Sequence, residues 1–223
     1  MSTPRVVAAF DLDGTLTEGG SVFAWLRAVA GARPAYEAAL ALGAPLAVGA
    51  VRSGPAADDA KERLFTRLLA GRDLAAVAAT SRAFALEHLA RHGRRDVLAR
   101  LEWHRGRGDE VVIVSASPQV YVEVIAQRLG ADAAIATRLA VDGTGRLTGR
   151  YEGGNCRGEE KRRRVSEWAW SRGDGDVEAY AYGNSRGDRR LLDWATHPYD
   201  VGRLGRVGAL RAFPRLAGEA SQA

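Results

Sequence analysis

An α/β fold is predicted, with a parallel sheet flanked by helices and an all-helical segment inserted after the first strand. Three observations predict it. Short, continuously apolar runs at Val6–Phe10, Glu110–Ser115 and Glu178–Tyr182 each end abruptly in polar residues, as strands buried on both faces do. From about Ser21 to Trp103 the texture is helical, rich in alanine, leucine and arginine, with no strand pattern. Beyond Arg107, strand-like and helix-like runs alternate, the order expected of parallel strands joined by helical crossovers.

The elements follow in order. Val6–Phe10 is the first strand, closed by Asp11-Leu-Asp13-Gly14. Four or five helices follow, with breaks near Gly31–Pro34, Ser53–Pro55, Gly71 and Gly93. Asp73–Arg91 is the best defined of them. Leu74, Val77, Ala78, Phe84, Leu86 and Leu89 form its apolar stripe, and Gly93 stops it. Glu110–Ser115 is the second strand and Pro118–Leu129 a helix with proline in its first turn. Ala133–Arg138 is a third strand, and Leu139–Tyr151 a hairpin around Asp142-Gly-Thr-Gly145. Gly158–Arg172 is a helix, Glu178–Tyr182 a strand and Arg189–Trp194 a short helix, while Gly218–Ala223 reads as a loose tail.

Composition bounds the reading. The chain has 223 residues, enough for one large domain or a core carrying one insert. Its net charge is +5, and only two of its 32 basic residues, Lys61 and Lys161, are lysine. No basic run is interleaved with aromatics, so nucleic acid is not an expected partner. The basic balance leaves room for peripheral contact with an anionic membrane. A single cysteine, Cys156, fits a reducing compartment, and the start of the chain lacks a secretory pattern, so a cytoplasmic location is expected. The apolar stretch Ala38–Val51 is interrupted by Gly43, Pro45 and Gly49 and is too short to span a membrane simply.

In an open parallel sheet, ligands bind at the carboxyl ends of the strands. Here those ends carry Asp11 and Asp13, then Ser115-Ala116-Ser117, then Gly183-Asn184-Ser185-Arg186-Gly187-Asp188. Lys161 lies in the first turn of the intervening helix. This set suits phosphate-ester chemistry. An aspartate can attack phosphorus, and a second carboxylate two residues on can pass a proton to the leaving oxygen and then activate water. Gly14 permits the turn that aims both. Serine and backbone N–H groups at a helix start can hold phosphoryl oxygens, and lysine offsets their charge. Paired carboxylates beside a phosphate call for Mg²⁺.

These residues resemble the haloacid dehalogenase superfamily, in the phosphoserine-phosphatase-like branch of its subfamily IB. Asp11-Leu-Asp13-Gly-Thr15 is similar to the first motif, DxDGT, and Val111-Val-Ile-Val-Ser115 to the second. Lys161 in Gly158-Glu-Glu-Lys161 resembles the third, and Gly183-Asn184-Ser185-Arg-Gly-Asp188 the fourth, usually GDxxxD. The 23 residues from Lys161 to Asn184 suit the family's spacing. The resemblance covers nearly the whole chain. It implies a Rossmannoid catalytic core of residues 1–17 and 101–223 and a helical cap, type C1, of residues 18–100.

It further implies a Mg²⁺-dependent phosphatase. Asp11 would be the nucleophile and Asp13 the acid/base. Thr15, Ser115, Ala116 and Lys161 would hold phosphate. Asp11, the Asp13 carbonyl, Asn184 and Asp188 would serve the metal. The substrate would be a small phosphorylated molecule, whether an amino-acid, polyol or lysophospholipid phosphate. Asn184 departs from the family's aspartate, losing a charge while keeping a coordinating oxygen. It opens a second reading, a phospho-ligand binding module of weakened chemistry; phosphoryl transfer to an alcohol on the same fold is a third. Glu18 followed by Gly19 and Gly20 departs from the family's amine-binding glutamate. The remaining polar residues read plainly: Ser117 as a helix cap, Arg162–Arg164 as a solvated face, Cys156 as structural, and His88 with His92 as a shared helix face without a third metal ligand.

Overall fold

The computed structural model describes residues 5–42, 55–173, 176–202 and 210–216. Six strands form one sheet in the order β4-β3-β2-β1-β5-β6. They are β1 (Arg5–Phe10), β2 (Glu110–Pro118), β3 (Ala133–Val141), β4 (Leu147–Glu152), β5 (Val177–Gly183) and β6 (His197–Asp200). All pairings are parallel except β3 with β4, the hairpin expected around Asp142–Gly145. Strand β1 lies between β2 and β5, so its carboxyl end opens between two crossovers, where a ligand site forms.

Both faces of the sheet are covered, and the pleat sorts the side chains between them. Ala8, Phe10, Val111, Ile113, Tyr180 and Tyr182 enter one core; Val7, Ala9, Val112, Val114 and Ala181 enter the other. Five helices precede β2 among the described residues: α1 (Val22–Ala30), α2 (Ala32–Ala41), α3 (Pro55–Leu69), α4 (Leu74–His92) and α5 (Arg95–Arg107). After β2 come α6 (Gln119–Leu129), α7 (Glu159–Ser171) and α8 (Arg189–Trp194), the last preceded by a 3₁₀ turn at Arg186–Asp188.

The helix signals act as read. Asp73 caps α4, accepting the Ala76 N–H at 2.9 Å. On α1, Trp25 and Leu26 are fully buried, and the Trp25 indole donates to Ser81 Oγ at 2.8 Å. This is an inward helix face within the core. The apolar stretch Ala38–Val51 is described only to Leu42, where Leu40 is exposed; its residues 43–51, the break at Ser53 and the tail Gly218–Ala223 lie outside the described residues. Among the described residues no helix is long and apolar enough to cross a membrane.

Two features govern how the inserted helices meet the sheet. First, their entry and exit run side by side: Thr17 bridges Gly93 in antiparallel fashion, Glu18 N–H donates to His92 O at 2.8 Å and Arg94 N–H to Leu16 O at 2.9 Å. Second, α3 leans on β4 so closely that a Cβ on Gly149 would lie 2.3 Å from the Thr66 Cα; only glycine fits there. Helix α5 packs on the sheet itself. Its Arg100 Nε and His104 Nε2 reach the Tyr182 hydroxyl at 2.9 and 2.8 Å, and His104 Nδ1 meets Asp109 Oδ2 at 2.7 Å.

Strand β6 was not expected. It is a four-residue edge strand containing Pro198, and neither length nor alternation marks it in the sequence.

Candidate active site

Strand β1 delivers Asp11, whose N–H is held by the Tyr182 carbonyl at 3.0 Å. The chain then turns at Gly14, where φ is +81° and a Cβ would lie 1.9 Å from Asn184 Nδ2. Glycine is therefore required twice over, by backbone and by space. The turn closes with Gly14 N–H to Thr17 O at 2.7 Å and Thr17 N–H to Leu12 O at 3.0 Å. Buried Arg94 braces it from outside, donating to Gly14 O at 2.8 Å and Val201 O at 2.7 Å.

Six of the eight predicted residues meet in one cavity; Thr15 and Asn184 are not in its lining. A cavity of about 160 Å³ is lined by Asp11, Asp13, Ser115, Ala116, Lys161 and Asp188, among others. The Lys161 ammonium donates to Asp11 Oδ1 at 2.7 Å and Asp188 Oδ1 at 2.6 Å. Ser115 is buried, and its Oγ accepts the Ser117 N–H at 3.1 Å, which leaves its own proton for a ligand. Thr15 and Asn184 bond each other, Thr15 Oγ1 donating to Asn184 Oδ1 at 3.5 Å.

Charge is unevenly shared. Burial and the Asp188 charge push Asp11 up to about 7, against the pull of Lys161. Burial would raise Asp188 as well, but Lys161 and the Ser185 side-chain and backbone hydrogen bonds hold it below the usual carboxylate range. Two carboxylates share one ammonium, and the one with more donors keeps its charge. Lys161 itself loses by burial, but Asp11 and Asp188 keep it firmly protonated.

Asp188 is also the anchor of its loop. Its Oδ2 accepts Asn184 N–H at 3.2 Å, Ser185 N–H at 3.0 Å and Ser185 Oγ–H at 2.7 Å, forming a capping box over the 3₁₀ turn. Both its oxygens are thus engaged within the protein. Among the described residues no group of three or more histidine, cysteine or carboxylate side chains is arranged to hold a metal. A cation here would use mixed oxygen donors: the Asp11 carboxylate, the Asp13 carbonyl and the Asn184 amide oxygen. Those are hard ligands, and they fit Mg²⁺ chemically.

Several residues at the site escape sequence reasoning. Lys61, from α3, donates to Ala116 O at 2.5 Å and Asn155 Oδ1 at 3.2 Å, and burial pushes its pKa down to about 8 against the opposing charges of Asp13 and Asp58. Asn155 in turn donates to Asp58 Oδ1 at 2.6 Å, and Arg157 stands 3.8 Å from that carboxylate. Both lysines of the chain therefore line this cavity, and in so arginine-rich a sequence their rarity was the available signal. Ser117 is not a helix cap: Pro118 occupies the N-cap of α6, and the Ser117 hydroxyl donates to Asp13 Oδ2 at 2.5 Å. Arg164 departs from the solvated face expected of Arg162–Arg164: it is half-buried and donates to the carbonyls of Ala136, Gly153 and Gly154. Arg162 and Arg163 pair with glutamates on an exposed face, Arg186 is exposed, and Cys156 is buried.

Comparison with known proteins agrees with this geometry. The chain is 35% identical over 193 residues to Protein CicA of Caulobacter vibrioides, covering 86% of this chain and 84% of that protein. A solved structure of a protein of unknown function from Bordetella pertussis Tohama I superposes with a TM-score of 0.80 at 28% identity, covering 96% of this chain and 99% of that one. A substrate-bound phosphoserine phosphatase shares the fold, with a TM-score of 0.60 at 19% identity over 90% of this chain and 86% of that one. Residues 8–193 match the model of the haloacid dehalogenase-like hydrolases, a span that runs from within β1, just ahead of Asp11 and Asp13, through the loop of Asp188. With motifs and topology in agreement, the chain belongs to the haloacid dehalogenase-like hydrolase family.

Proposed function

We propose that this hydrolase is a Mg²⁺-dependent phosphatase of small phosphate monoesters, acting through an aspartyl phosphate on Asp11. The observation that carries the reading is the meeting of Asp11, Asp13, Ser115 and Lys161 in one small cavity. The cation, when bound by Asp11, the Asp13 carbonyl and Asn184, supplies positive charge against the phosphoryl oxygens and keeps Asp11 ionised.

The chain's own groups do the rest. Lys161, the Ser115 hydroxyl and the Ala116 backbone bind the phosphoryl oxygens, while Thr15 steadies the loop beside Asn184. An Asp11 carboxylate oxygen bonds to phosphorus as the bond to the leaving oxygen breaks, and Asp13 gives that oxygen its proton. Asp13 then takes a proton from water as the water oxygen attacks phosphorus, which frees Asp11 and releases phosphate. Asp188 acts through Lys161 and its own loop, since both its oxygens are already engaged.

Helices α1–α4 act as the cap, with α3 placing Lys61 and Asp58 at the mouth. A cavity of about 160 Å³ favours a small leaving group over a lysophospholipid. Lys61 and Arg157 favour one that is itself anionic. The single, buried cysteine supports a cytoplasmic setting. The test is hydrolysis of 4-nitrophenyl phosphate with Mg²⁺ by the wild type and Asp11→Asn. Turnover by the wild type and none by the variant is expected; substantial residual activity in the variant would sink the assignment.

A further inference from the structure

The carboxylate of Asp13 is gripped from two sides. Its Oδ1 accepts the backbone N–H of Ser21 at 2.8 Å, and its Oδ2 accepts the Ser117 hydroxyl at 2.5 Å. These donors come from different parts of the molecule. Ser21 is the N-cap residue of α1, the first of the inserted helices; Ser117 ends β2 in the core. Both serines are buried.

The Ser117 hydroxyl is not needed by the helix that follows it. No side chain caps α6, whose N-cap is Pro118. The hydroxyl proton is directed at Asp13, whose Oδ2 accepts it. A third hydroxyl stands behind the two serines. Tyr121 is fully buried; its OH lies 2.7 Å from Ser21 Oγ and against the Ser117 side chain. Burial first, and then the nearby Asp13 charge, keep this phenol protonated. The phenol ring is fixed by Trp25, at 5.5 Å between centroids, and by Phe84 at 5.4 Å, both from the inserted helices.

We propose that Ser117, backed by Tyr121 and Ser21, is the positioning residue for Asp13, holding its carboxylate toward the leaving-group oxygen. This rests on the reading of Asp13 as the acid/base. Each carboxylate oxygen offers two lone pairs, so the grip leaves each a free direction, and Asp13 lines the same cavity as Asp11 and Lys161. Without Ser117 the carboxylate swings about its Cβ–Cγ bond and about the Ser21 contact. Proton delivery to the leaving group then suffers, while attack by Asp11 does not.

That asymmetry gives the test. Benzyl phosphate and 4-nitrophenyl phosphate are similar in shape, but the alkoxide leaves only with a proton and the nitrophenolate leaves without one. The measured quantity is kcat/KM, which reports the first chemical step and is blind to the later hydrolysis of the acyl phosphate. Ser117→Ala should lose about tenfold or more on benzyl phosphate and less than about threefold on 4-nitrophenyl phosphate. Ser117→Thr should restore most of the loss, and Tyr121→Phe should show the same selectivity in weaker form. Equal losses on the two esters, or no loss on either, would overturn the proposal while leaving the phosphatase reading intact. A wild type that hydrolyses neither ester would remove both.

Discussion

Lys161 stands between two aspartates, its Nζ 2.7 Å from Asp11 Oδ1 and 2.6 Å from Asp188 Oδ1, all three buried. Removing the ammonium would leave two uncompensated carboxylates in a dry site. Lys161→Met should therefore destabilise the metal-free protein by about 3–5 kcal/mol, measured by denaturant unfolding. Exposed pairs such as Arg33–Glu37 should contribute under about 1 kcal/mol, so Arg33→Met serves as the contrast.

In the proposed cation site, Asn184 offers an amide oxygen where the resemblance to the fourth motif implies a carboxylate. Asn184→Asp should lower the Mg²⁺ concentration for half-maximal activity by about tenfold or more, since it restores a charged ligand to a hard cation. Titration of activity against Mg²⁺ reads this directly. A wild type silent at saturating Mg²⁺ beside an active Asn184→Asp would favour the binding-module reading.

Lys61 brings a positive charge from the inserted helices to neutral partners, the Ala116 carbonyl and the Asn155 amide oxygen. Its contribution should appear with anionic leaving groups. Lys61→Met is expected to raise KM about tenfold for phosphoglycerate and far less for glycerol phosphate, the size of a hydrogen bond to a charged group. Steady-state kinetics on both esters would expose an equal effect, which would mean that Lys61 serves the phosphoryl group instead.

His104 is fully buried between Asp109 and Tyr182, and burial pushes its pKa down to about 4 despite the hydrogen bond and charge of Asp109. The folded protein thus resists a proton that the unfolded chain, with an ordinary histidine near pH 6.5, accepts. Unfolding binds a proton in this range, so stability should fall as pH drops from about 6.5 toward 4. His104→Gln should flatten that part of the stability profile in denaturant titrations at a series of pH values.

Much of this was legible in the sequence because the site sits on strand ends. An apolar run that stops at a polar residue shows what the strand presents, as Phe10-Asp11 and Val114-Ser115 do, although β2 itself runs on past Ser115 to Pro118. Lys161 was legible through its place in a helix's first turn. What escaped depends on docking rather than on local pattern. Lys61 and Asp58 reach the cavity only because α3 leans on β4 at Gly149, a contact between residues far apart in the chain. Ser117 precedes a helix and so looked like its cap, but the following proline takes that position and frees the hydroxyl for Asp13. Edge strand β6 has too few residues for a period to show.

The bridge between Thr17 and Gly93 has a consequence for the chain's architecture. Because the outgoing and returning backbones lie within a hydrogen bond of each other, the excursion from Glu18 to His92 is a closed detour that leaves and rejoins the core at one point, and it is tied to the sheet a second time where Gly71 and Arg72 exchange backbone hydrogen bonds with Leu147. Exchanging this excursion would leave the order of the strands untouched, but it would take with it the Ser21 N–H that holds Asp13 and the Lys61 ammonium at the cavity, so what the site admits and how its carboxylate is held change together.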